Sequence, residues 1–126
     1  MEELTLTNSE WYVLDCLWGR ESRTAMELVA ELGERVGWAK STTLTTLRRM
    51  EEKGLVHVET VGRARHYAPA VERQGAAARE TRSFLDKVYQ GSVGLMVSAM
   101  VEDQALSRDE IDQLYEILRQ AEEGNK

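Results

Sequence analysis

Apolar side chains recur along most of this chain at intervals of three and four residues, the spacing that lines one face of a helix. Three of these stripes open with the same signature. Thr7-Asn8-Ser9-Glu10, Thr24-Ala25-Met26-Glu27 and Ser107-Arg108-Asp109-Glu110 each set a hydroxyl three residues before a glutamate, the order of a capping box. Leu6 before the first cap and Leu106 before the third can staple to Trp11 and Ile111. The pattern predicts a first helix over about Asn8–Trp18, with Trp11, Leu14, Leu17 and Trp18 on one face. A second helix spans Ala25–Val36, with Ala25, Leu28, Val29, Leu32 and Val36 inward. A third spans Lys40–Lys53, with Leu47 and Met50 inward and Gly54 placed to end it.

Beyond Gly54 the period changes. Leu55–Glu59 and Arg65–Ala68 are short β-prone runs, and the glycine-containing turn between them makes a hairpin that Pro69, the only proline, closes. Helical spacing then resumes over about Glu72–Tyr89, Ser92–Glu102 and Arg108–Glu122. Three short helices and a hairpin are the order of a winged helix-turn-helix. The expected architecture is mainly α with a small β-hairpin: a winged helix-turn-helix domain over residues 1–71 and a helical dimerisation domain over 72–126.

The third helix carries more than a packing stripe. Thr42, Thr45 and Arg49 share a face away from Leu47 and Met50, flanked by Lys40, Ser41 and Arg48. Hydroxyls reach phosphates or base edges, a threonine methyl meets a thymine methyl, and arginine grips guanine bidentately. Four threonines within five positions, Thr42, Thr43, Thr45 and Thr46, also cost helix propensity, which a helix built only for packing would avoid. Leu44 fits the core beside Leu47 by apolar count and the groove edge by helix-turn-helix register; the register favours the edge. On the hairpin, Arg63, Arg65 and Tyr67 flank the turn, where cations can lie along a phosphate backbone.

Charge sharpens this reading. The 126 residues carry a net charge of −6, which by itself argues against a nucleic-acid partner. Between residues 40 and 73, however, Lys40, Arg48, Arg49, Lys53, Arg63, Arg65 and Arg73 face only Glu51, Glu52, Glu59 and Glu72, a local excess of three positive charges. The candidate partner is double-stranded DNA. A winged-helix module that binds only proteins has the same architecture, and salt-dependent duplex binding separates the two.

The tail presents Phe84, Leu85, Val88, Tyr89, Met96, Met100, Ile111, Leu114, Tyr115 and Leu118 in helical stripes. Three helices of this length either fold back on themselves in a monomer or pair with a second chain; a two-fold dimer doubles the DNA site, so these residues are the expected dimer interface. Other chemistry has little support. A single cysteine, Cys16, sits among apolar neighbours and forms no intrachain disulfide, and His57 and His66 lack metal-ligand spacing. No cofactor, metal site or catalytic constellation is expected, and the chain does not read as an enzyme. The longest uncharged stretch, Val88–Val101, is too short to span a bilayer, and the first residues lack the pattern of a signal peptide, so a cytoplasmic protein without membrane insertion is expected.

These segments together resemble the penicillinase-repressor (BlaI/MecI/CopY) family over nearly the whole chain. The resemblance is carried by Leu6-Thr7-Asn8-Ser9-Glu10-Trp11 with Leu17-Trp18, by Thr42 to Val56, by Arg65 to Pro69, by Phe84-Leu85-Asp86-Lys87-Val88-Tyr89 with Gly91-Ser92, and by Leu106 to Leu118. It implies a homodimeric transcriptional repressor on inverted-repeat operators. In the branch that controls β-lactam resistance, it further implies inactivation by a cut in the tail, triggered by a membrane-bound sensor protease. The bond equivalent to that branch's Asn-Phe cleavage site joins Ala99 and Met100 here. The copper-responsive branch uses paired Cys-x-Cys motifs, which this chain does not have.

Overall fold

A computed structural model describes residues 6–125. The helices are α1 (Asn8–Leu17), α2 (Ala25–Val36), α3 (Lys40–Lys53), α4 (Arg73–Tyr89), α5 (Val93–Glu102) and α6 (Arg108–Gly124). The strands are β1 (Arg23–Thr24), β2 (Val56–Val61) and β3 (Ala64–Pro69). All three capping boxes form, each with hydroxyl and carboxylate bonding the opposite backbone amide. Gly54 ends α3 at φ +78, in the left-handed region that a β-carbon disfavours.

Strands β2 and β3 pair antiparallel, with Val58 opposite Tyr67, and β1 adds to the far side of β3 with Arg23 opposite Tyr67. The sheet order is therefore β1-β3-β2. The two-residue strand β1 is too short to leave an alternation in the sequence. Helices α1, α2 and α3 and this sheet enclose one core, built on Leu14, Leu17, Leu28, Leu32, Leu47, Met50 and Leu55. In α1 the inward face differs from the expected one. Val13 and Cys16 join Leu14 and Leu17 at full burial, while Trp11 and Trp18 sit half-buried at the core's edge, ring to ring in a T-shaped pair.

The described chain divides into two compact units between Thr81 and Arg82, inside α4. The start of α4 belongs to the winged unit because it is tied there. The Trp18 indole donates to the Val71 carbonyl at 2.9 Å, Arg73 lies over the Trp18 ring and 3.5 Å from Asp15, and Ala76 is buried in the core.

Charged groups also brace this unit. Glu31 accepts from Arg23 and from Arg35, which in turn donates to Asp15 at 2.9 Å. The Arg23 guanidinium first, opposed by partial burial, brings the Glu31 carboxyl from its ordinary 4.5 down to about 2. A depressed carboxylate stabilises the fold above the ordinary value, and that contribution is lost as pH falls from about 4.5 towards 2. Glu31→Gln should therefore melt lower than the parent at pH 7, by roughly 1 kcal/mol given solvent screening, with the gap closing below pH 4. Parallel melting curves across this pH range check it; a gap independent of pH would refute it.

Candidate nucleic-acid interface

Helix α3 turns Thr43, Leu47 and Met50 into the core. At about 100° per residue, this aims Ser41, Thr42, Thr45, Arg48 and Arg49 the other way. Ser41, Thr42, Arg48 and Arg49 are exposed, as is Lys40 at the helix start, and Thr45 is half-buried. The run of four threonines resolves into separate tasks. Thr42 and Thr45 stay on the outer face. The Thr46 hydroxyl donates to the Thr42 carbonyl at 2.8 Å. Thr43 is fully buried, and its hydroxyl has no hydrogen-bond partner among the described residues. Only two of the four threonines thus face outward.

An unpartnered buried hydroxyl costs about 1–3 kcal/mol. Thr43→Val keeps the branched shape and removes the orphaned group, so it should raise stability by about 1 kcal/mol and leave DNA binding unchanged. Denaturant melts of the two proteins check this; a destabilised Thr43→Val would show that the hydroxyl has a partner.

The ion pairs sort the cations of the basic segment. Lys53 reaches Glu10, itself nearly buried, at 2.6 Å, so it braces α3 against the capping box of α1. Arg65 donates to both carboxylate oxygens of Glu51 at 2.8 and 2.9 Å and lies over the Tyr67 ring. Tyr67, grouped with the wing cations by sequence, is only 4% exposed and part of the core. Its position opposite both Val58 and Arg23 holds it in the middle of the sheet, so its ring is a support for Arg65 and not a free contact. Lys40, Arg48, Arg49 and Arg63 form no ion pair among the described residues. Arg48 and Arg63 line one concave surface, Arg49 lines another with Thr46 and Glu52, and Lys40 stands at the start of α3. A chain that is acidic overall therefore keeps unpaired positive charge along α3 and at the hairpin turn.

Leu44 is missing from the core and 38% exposed. It lines a concave surface of about 520 Å³ with Met26, Arg48, Arg63, Arg65 and Tyr67. Helical register, which placed it at the edge, was the only sequence signal for it; counting apolar residues pointed inward.

Helix α5 and α6 belong to the second unit, as does α4 from Arg82 onward. Phe84, Val88, Met100, Tyr115 and Leu118 are exposed in the single chain, Tyr115 at 71%. Tyr89, Met96, Ile111 and Leu114 are half-buried, and Ala99 is too. Leu85 departs from expectation: at 6% exposure it is already covered within its own chain and has little surface left for a partner. The sequence reading missed Leu95, Val101 and Ile117, which are also exposed. Val93, Val97, Val101, Leu106, Ile111 and Leu118 border an apolar groove of about 520 Å³.

Among the described residues, no cluster of side chains suits a metal ion and no helix is long and apolar enough to cross a membrane. Cys16 is fully buried, and burial first, then Glu31, pushes its thiol up to about 11, which leaves it unreactive.

A family model described as penicillinase repressor matches residues 6–120. The penicillinase repressor of Bacillus licheniformis is 29% identical over 121 residues, covering 96% of this chain and 94% of that protein. The methicillin resistance regulatory protein MecI of Staphylococcus aureus (strain N315) is 27% identical over 113 residues, covering 90% and 92%. Among solved structures, the DNA binding domain of the repressor BlaI superposes with a TM-score of 0.52 at 26% identity, covering 58% of this chain and 90% of that one.

Proposed function

Because the chain belongs to the penicillinase repressor family, whose members are repressors and not enzymes, we propose that it represses transcription as a homodimer bound to an inverted-repeat operator. The observation that carries the DNA reading is the set of exposed cations along α3 and at the hairpin turn, Lys40, Arg48, Arg49 and Arg63, that have no ion pair among the described residues. With the core-facing side of α3 taken by Thr43, Leu47 and Met50, the outer face is free to enter a major groove. Arg63 at the hairpin turn then falls along the flanking phosphates.

The dimer reading rests on the tail. Ile111, Leu114, Tyr115 and Leu118 line one apolar groove, Met96 and Met100 line another, and Phe84 and Val88 are exposed in the single chain. Burying a handful of them, at about 1.5–3 kcal/mol each, is enough to offset an association cost of about 4–15 kcal/mol. Footprinting on DNA upstream of the chain's own gene tests the whole reading. Two protected half-sites related by a two-fold axis, one or more helical turns apart, are expected; a single isolated half-site would contradict the dimer.

Relief of repression by a cut in the tail, made by a membrane-bound sensor protease, is the regulatory proposal. The Ala99–Met100 bond lies inside α5. Side-chain burial does not shield it: Met96 and Val97 are half-buried and Met100 is 38% exposed. The obstacle is the helical backbone itself, with the Ala99 carbonyl accepting from Asp103 at 3.1 Å, so cleavage requires α5 to open locally. Immunoblots of induced cells should show a fragment ending near residue 99; full-length protein during full induction would rule the cut out.

A further inference from the structure

On α3 the expected order of polar and apolar positions is inverted at two neighbours. Thr43 is fully buried with an unpartnered hydroxyl, while Leu44 is 38% exposed. A hydroxyl inside and an isobutyl group outside is the costly order of the two. Where a local rule is broken without a gain in packing, function is the usual beneficiary.

The surroundings of Leu44 indicate what it meets. It lines a concave surface with Met26, itself 56% exposed, and with Arg48, Arg63 and Arg65. Arg48, one turn along from Leu44, and Arg63 carry no ion pair among the described residues. An apolar floor between free guanidinium groups suits a partner that is anionic at its rim and apolar at its base-edge. A duplex offers that combination in its major groove, where phosphates flank the 5-methyl group of thymine.

We propose that Leu44, backed by Met26, determines specificity by packing on a thymine methyl group in each half-site. The proposal rests on the reading above, in which α3 enters the major groove. It assigns to Leu44 the recognition of the 5-methyl group itself, which offers no hydrogen bond to an arginine and which cytosine lacks at the same position.

Deoxyuridine removes that methyl and nothing else. With a duplex selected from a random-sequence pool by the full-length protein, thymines are replaced one at a time by deoxyuridine and binding is measured for wild type and Leu44→Ala. One position per half-site should weaken wild-type binding about fourfold per methyl lost. At that position Leu44→Ala, already weaker on the thymine duplex, should lose nothing further. Its melting temperature and salt dependence should match the wild type, because Leu44 lies outside the core and no cation is removed. If every replacement is neutral for the wild type, or costs Leu44→Ala equally while the duplex is still bound, the thymine contact is wrong and the DNA reading stands. If no duplex is selected at all, both fall.

Discussion

A fragment comprising residues 1–81 is expected to fold, to sediment as a monomer, and to bind the operator about 10²–10⁴-fold more weakly than the full chain. The winged unit keeps its whole core, including Ala76 and the anchor from Trp18 to Val71, so its melting should remain cooperative. What it loses is the tail, and with it the tether that holds a second reading domain close to the second half-site. The affinity lost is that effective concentration, not any contact between α3 and DNA. Binding to a duplex carrying a single half-site should therefore be nearly unchanged. A fragment that still sediments as a dimer would place the interface in the winged unit and overturn the role given to α4–α6.

The second large effect is expected at α3. Arg49→Ala should weaken operator binding by about 1–3 kcal/mol, or roughly 5- to 150-fold, with much less effect on random duplex. Arg49 shares its face with Thr42 and Thr45 and has no carboxylate partner among the described residues, so it is free for a base edge. Arg63→Ala should weaken operator and random duplex alike, since a cation at the hairpin turn meets phosphates, which carry no sequence. Competition assays on both duplexes separate the two variants. Equal losses for Arg49→Ala on both would move base readout elsewhere.

The helices were legible because their signals are local. A capping box, an apolar stripe and a terminal glycine act within a few residues of one another: α2 begins at its capping box and α3 ends at Gly54, although the start of α3 after Ala39 has no side-chain cap. Features that depend on distant partners were not legible. Nothing around Lys53 announces Glu10, and nothing around Arg65 announces Glu51, yet these pairings decide which cations remain free. Tyr67 looked like a wing residue because its neighbours are charged; only the pairing of β3 with strands on both sides shows that it is interior. Thr43 and Leu44 defeat pattern reading for a different reason: polarity there opposes position. The packing of the start of α4 was equally out of reach: nothing local to Arg73 and Ala76 announces their contacts with Trp18 and the core.

The salt dependence of duplex binding tests the central claim most directly. With Lys40, Arg48 and Arg63 on phosphates twice in a dimer, the logarithm of the affinity should fall against the logarithm of salt with a slope of about −5. In the double variant Arg48→Ala/Arg63→Ala, which should fold normally because both side chains are exposed and unpaired, the slope should fall to roughly a third. Fluorescence anisotropy of a labelled operator, titrated at several salt concentrations, gives both values. Affinity that does not change with salt, or a slope that the double variant leaves intact, would contradict the claim that this face of α3 and the hairpin grips DNA.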